Sequence, residues 1–150
     1  MKSRTHLLLA CGLLLAQAAP AMDFEVQGDT VFASGPLGDD MNRFDRAIAA
    51  PGIKRVVFVN SPGGDLWTAM YVGQAIADHK LNTVVAGYCM SACAIMFMGG
   101  VERTFSDAFS PAETLIGIHG PHDKNNRSIA AGPTPRIYAF LKAQMGERFN

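Results

Sequence analysis

The chain is predicted to fold as a layered α/β domain on a mostly parallel sheet, and three features of the sequence carry that prediction. Strand-like runs alternate with helical periodicities along most of its length. Arg55-Val56-Val57-Phe58-Val59 is continuously apolar after its first residue and rich in β-branched side chains, the composition of a strand covered on both faces. Phe24 to Gln27 and Thr30 to Ala33 are short alternating runs separated by Gly28-Asp29, a hairpin signal, so the sheet is expected to open with an antiparallel pair.

Residues 1–21 carry Lys2 and Arg4, an apolar run from Leu7 to Ala16 and the small-x-small triplet Ala19-Pro20-Ala21. This is the pattern of a cleavable export signal, too short for a membrane span, and it places the mature start at Met22. Reading Leu8-Leu9-Ala10-Cys11 as a lipidation box leaves too short an apolar stretch before the cysteine. After the hairpin, Asp39 or Asp40 can cap a helix with Met41, Phe44, Ile48 and Ala49 on one face, ending at Pro51-Gly52. The buried strand over Arg55–Val59 follows. Asp65 then caps a helix in which Leu66, Ala69, Met70, Gly73, Ile76 and Ala77 recur at helical spacing, with His79 and Lys80 at its end. Thr83 to Ala86 reads as the next strand, and Ser91 to Met98 as a buried helix closed by Gly99-Gly100. Arg103 to Phe105 and Leu115 to Ile118 are strands, and about Pro135 to Met145 is a helix. The intervening stretch from Gly120 to Pro135 is read as a long loop, a class often used for function.

Composition narrows the class. With 49% hydrophobic and 17% charged residues and a formal net charge of zero over the whole chain, the composition is that of one soluble domain, and the length of residues 22–150 suits one core of modest size. Neither nucleic acid nor an anionic membrane surface is suggested by that balance. The leader reads as bacterial, so the mature protein is expected in the periplasm or outside the cell. Cys89 and Cys93 would there meet an oxidising environment. On a helix their Cα atoms would be about 6 Å apart, within disulfide range, but side-chain directions along a helix disfavour the bond. Two small apolar residues packing a helix start are therefore the favoured reading.

Acyl-transfer chemistry needs a nucleophile, a base and donors for a developing oxyanion. Ser91 sits at a strand-to-helix junction, where its hydroxyl can project from the sheet edge and the N–H of Ala92 points into the same space. Pro62-Gly63-Gly64 also follows a strand, and its missing Cβ atoms allow close approach, making Gly64 the second candidate donor and Pro62-Gly63 part of a substrate groove. His119 ends a strand that can lie beside Ser91 and is the candidate base. Each residue alone has a plainer role: Ser91 as a helix N-cap, His119 as a strand-end histidine bonded to backbone, Gly63-Gly64 as a turn. His119, His122 and Asp123 have metal-ligand spacing, but no further ligands are visible, and neither a metal nor a cofactor is expected.

Taken together, Val57-Phe58-Val59-Asn60-Ser61-Pro62-Gly63-Gly64, Gly87-Tyr88-Cys89-Met90-Ser91-Ala92-Cys93 and Ile118-His119-Gly120-Pro121 resemble the proteolytic subunit of the Clp protease, and more closely the exported ClpP-like bacterial proteins. The resemblance implies the ClpP/crotonase fold of stacked β-β-α units, a Ser-His-Asp triad and oxyanion donors from the Gly-Gly loop and the residue after the serine. Carried across, those roles fall on Ser91, His119, Gly64 and Ala92. After His119 the only acidic residues are Asp123 and Glu147, and neither matches the context of the family's aspartate. Four options stay open: C-terminal truncation, Asp123 as third member, a backbone carbonyl orienting the imidazole, or a relic site. The expected activity is that of an exported serine hydrolase, with peptidase action on peptides or unfolded chains as the favoured form. Without ATP outside the cytoplasm no ATPase partner is expected, whereas the resemblance implies a homo-oligomer. The alternatives are an inactive peptide-binding module, a Ser-Lys dyad using Lys124 or Lys142, and an acyl-CoA enzyme of crotonase type, which would be poorly placed outside the cytoplasm.

Overall fold

The computed structural model describes residues 21–120, 132 and 134–146. The order of elements is β1 (Asp23–Gln27), β2 (Thr30–Ser34), α1 (Met41–Ile48), β3 (Arg55–Ser61), α2 (Leu66–Asp78), β4 (Asn82–Met90), α3 (Ala92–Met98), β5 (Arg103–Phe105), β6 (Leu115–Gly117) and α4 (Thr134–Met145). The sheet runs β1-β2-β3-β4-β5, and β6 also pairs with β4. Among the described residues only the β1–β2 pairing is antiparallel. β5 pairs with the first half of β4, at Thr83 to Val85, and β6 with its last residues, Tyr88 to Met90.

The core lies where the helices close on the parallel strands. Val31, Ala33, Val56, Phe58 and Val85 from the sheet meet Phe44, Ala69, Val72, Ile76, Met96 and Phe97 from the helices. α1 turns Phe44, Ala47 and Ile48 inward, so Ala49, expected on that face, is exposed beyond the helix end. α2 begins as its sequence predicts, with the Asp65 carboxylate accepting the Thr68 N–H at 2.8 Å. At α1 the expected cap does not form: Asp40 precedes the helix, yet its side chain makes no capping bond and is drawn elsewhere.

β4 is longer than the expected Thr83–Ala86, running through Gly87 to Met90. Its pairing with β3 shifts register between Val59 and Ser61, and Asn60 bulges there with φ 47°. The Asn60 amide oxygen accepts the Tyr88 N–H at 3.2 Å, replacing the missing ladder bond. Gly87, at φ 78°, has room for that amide only because it lacks a Cβ, which would collide with Asn60 Oδ1. The bulge lets β3 end at Ser61 opposite Cys89, so the two loops that follow these strands emerge side by side.

Candidate active site

Ser91 occupies a sharp elbow between β4 and α3. Its backbone sits at φ 55° and ψ −121°, a conformation that L-residues rarely adopt, and its side chain makes no helix-capping bond. The plain capping reading therefore fails on geometry, while a side chain lifted off the strand end by a strained turn suits a nucleophile. Strain of this kind costs about 1–3 kcal/mol and is retained only where neighbouring contacts hold it.

Several contacts do so. The Ser91 N–H donates to the Gly117 carbonyl at 2.7 Å, tying the elbow to the end of β6. Cys89 and Cys93, both fully buried, form a disulfide with Cα atoms 5.3 Å apart, closing a ring around Ser91. The expectation of two reduced packing cysteines took both to lie along a helix. In the structure Cys89 belongs to the strand and only Cys93 to the helix, so the turn at Ser91 brings the side chains together.

The Gly-Gly loop packs directly on the elbow. A Cβ on Gly63 would collide with the Met90 carbonyl and lie 2.8 Å from the Ala92 nitrogen and 3.0 Å from the Ser91 Cβ. Gly63 is buried, whereas Pro62 and Gly64 are exposed. Leu37 clasps the loop as a parallel bridge: its N–H donates to the Gly63 carbonyl and its carbonyl accepts the Asp65 N–H, each at 2.9 Å. This clasp leaves the intervening Gly64 N–H without an acceptor among the described residues. Ala92 is the first residue of α3, so its N–H has no place in the helix ladder. Two N–H groups without an acceptor among the described residues, those of Gly64 and Ala92, therefore lie in the loop and at the elbow. Ser61, buried under the same loop, donates its hydroxyl to the Gly35 carbonyl at 2.9 Å and accepts the Gly63 N–H at 3.3 Å.

His119 lies two residues beyond Gly117, which pairs with Met90 in the β4–β6 register, so it leaves the sheet at the same edge as Ser91. Its ring Nδ1 is 2.8 Å from the Gly120 carbonyl. A carbonyl only accepts, so Nδ1 is the donor in this bond. Asp123, His122 and Lys124 lie outside the described residues. Lys142 is exposed on α4, which packs on α2 and α3. Among the described residues no cluster of three His, Cys, Asp or Glu side chains could hold a metal.

Sequence reasoning missed Asn60, Ser61 and Leu37, which hold the loop, and Gly117, where a Cβ would meet the Met90 thioether. An asparagine directly after a β-branched run, able to enter positive φ, was the available signal for the bulge.

No protein-family model matches the chain, and no curated protein matches it. Solved structures do. The chain is similar to a serine-to-alanine mutant of the 1510-N membrane-bound stomatin-specific protease, at TM-score 0.56 and 20% identity, over 77% of this chain and 61% of that one. A second structure of that protease, a lysine-to-alanine mutant in complex with a substrate peptide, gives the same TM-score and identity and is covered to 57%. An asparagine-to-aspartate mutant of ClpP1 from Listeria monocytogenes matches at TM-score 0.52 and 14% identity, over 81% of this chain and 75% of that one. The fold is ClpP-like. The chain thus spans about three fifths of the stomatin-specific protease, and at these identities the ClpP-like likeness is one of fold, a fold used by peptidases.

Proposed function

We propose that the mature protein is an exported serine hydrolase that cleaves extended peptides or unfolded chains, with Ser91 as nucleophile and His119 as base. The observation that carries the reading is the strained Ser91 elbow, packed between the Gly63-Gly64 loop and the β6 end that leads to His119. His119 Nε2 takes the Ser91 hydroxyl proton as Oγ attacks the peptide carbonyl carbon. The N–H groups of Gly64 and Ala92 bind the resulting oxyanion. The imidazolium then protonates the leaving amine, the C–N bond breaks, and water activated by the same imidazole releases the acyl group. The Gly120 carbonyl orients the ring through Nδ1, and Asp123 is a candidate to strengthen that hold.

Peptide as substrate class is supported by the substrate peptide bound to the stomatin-specific protease mutant. Export to the periplasm or beyond rests on the leader and on the Cys89–Cys93 disulfide. Assembly with further copies is supported by Trp67, Tyr71 and Tyr138, large apolar groups left 50%, 42% and 55% exposed on α2 and α4.

Labelling with a fluorophosphonate probe, read by intact mass, tests the assignment. The wild type should gain one adduct, and Ser91→Ala and His119→Ala none, while Lys124→Ala and Lys142→Ala label normally. A folded wild type that stays unlabelled refutes the hydrolase and favours a peptide-binding module with an inactive site.

A further inference from the structure

Asp40 is a carboxylate that the proposed reaction does not use, and it is 1% exposed. It reads in the sequence as a helix cap, yet its side chain makes no capping bond to α1. Oδ2 accepts the backbone N–H of Met22 at 2.9 Å and that of Gly38 at 2.8 Å, while Oδ1 pairs with the half-exposed Arg43 guanidinium at 3.0 Å. The Met22 side chain is fully buried in the core, so its nitrogen is held at a fixed place. Ala21, immediately before it, is exposed.

Met22 is also the residue that follows the small-x-small triplet Ala19-Pro20-Ala21. Hydrolysis of the Ala21–Met22 amide breaks its C–N bond, adds the water oxygen to the Ala21 carbonyl and leaves the nitrogen as an α-amine, protonated near neutrality. We propose that this new α-ammonium forms a buried ion pair with Asp40 and that processing thereby completes the catalytic loop. The carboxylate is already desolvated in the unprocessed chain, so only the ammonium loses water, and its nitrogen already sits within hydrogen-bonding distance. An amide offers Asp40 one proton and no charge, whereas the ammonium offers three protons and a full charge.

The connection to the site is covalent and short. The same Oδ2 that meets Met22 holds the Gly38 N–H, and Leu37, the residue before Gly38, forms the clasp on Gly63 and Asp65 that leaves the Gly64 donor open. A firmer hold on Met22 and Asp40 therefore steadies the backbone that sets Gly64. This effect on rate rests on the hydrolase reading; the ion pair itself does not.

The test uses the full chain, exported and processed in a bacterial host, with its N-terminus read by intact mass. A second form carries one serine inserted between Ala21 and Met22, so that processing leaves Met22 with an amide nitrogen as before. The uninserted protein should begin at Met22, melt about 4 °C above the inserted form and label with a fluorophosphonate roughly tenfold faster. In the Asp40→Asn background the insertion should change neither quantity. Equal melting temperatures for the two forms, or a processed chain that starts elsewhere than Met22, overturn the proposal; if Asp40→Asn does not fold, the insertion comparison alone decides. Should neither form label, the hydrolase reading fails, while the difference in melting temperature still decides the ion pair.

Discussion

Replacing Ser91 by glycine should stabilise the protein while removing its proposed nucleophile. The elbow holds Ser91 at φ 55° and ψ −121°, where a Cβ costs about 1–3 kcal/mol and glycine costs nothing. Against this relief stands the extra freedom of glycine in the unfolded chain, about 0.5–1 kcal/mol. The Cys89–Cys93 ring limits that freedom, because residue 91 stays inside a closed loop even when the chain unfolds oxidised. The net expectation is a gain of about 1 kcal/mol, or roughly 3 °C in melting temperature. Ser91→Ala keeps its Cβ and loses no capping bond, so it should match the wild type in stability. A serine acting only as a helix cap gives another order, with alanine about 1 kcal/mol below serine and glycine a few tenths below. Urea unfolding of the three oxidised proteins, with the two variants checked for loss of fluorophosphonate labelling, separates the two accounts by sign. Ser91→Gly below the wild type would refute the strained elbow.

Three further outcomes follow from the same geometry. Gly63→Ala places a methyl group against the Met90 carbonyl and the Ala92 nitrogen at φ 85°, and should cost about 3 kcal/mol in thermal unfolding and abolish labelling; a wild-type labelling rate would mean that the loop does not set the elbow. Cys89→Ala with Cys93→Ala opens a ring of sequence separation 4 and should cost about 2 kcal/mol, with slower labelling that reoxidation of the reduced wild type, but not of the variant, restores. Asp29 is held below the usual carboxylate range by the Thr30 hydroxyl and then by Arg55 and Lys54. A depressed folded value means stability that is present above the unfolded carboxylate range and lost as pH falls through the folded value. Asp29→Asn should therefore flatten the acid limb of the stability curve, and an unchanged limb would show that the β1–β2 turn does not titrate.

Much of the fold was legible because each element carried its own signal. The Arg55–Val59 run, the Gly28-Asp29 turn and the Asp65 cap all stand where local chemistry placed them. β4 was underestimated because Gly87 reads as a strand end, and only a bulge in a different strand gives the next residue, Tyr88, an acceptor across the sheet. Asp40 was misread for a similar reason: its position beside a helix start is local, but its donors come from Met22 and Gly38. In the site, sequence order could propose Ser91, Gly64, Ala92 and His119. The disulfide depended on a turn at Ser91 that no periodicity reveals, and the Leu37 clasp on a contact between distant loops. Asp123 falls outside the described residues.

The two helices that start at the Gly63-Gly64 loop and at the Ser91 elbow touch again further along their lengths. At that second meeting a Cβ on Gly99, at the end of α3, would collide with the Gly73 carbonyl in α2, and a Cβ on Gly73 would lie 2.8 Å from the Phe140 ring and 3.1 Å from the Ile95 carbonyl. α2 and α3 therefore approach each other glycine against glycine, and this close packing sets the spacing of the helix pair that follows the Gly64 and Ala92 N–H groups. A methyl group at either glycine has no room and would force the two helices apart. In a mutational scan, Gly73 and Gly99 should score with the active-site residues although no substrate reaches them, and a gauge of functional importance based on distance to Ser91 would overlook both.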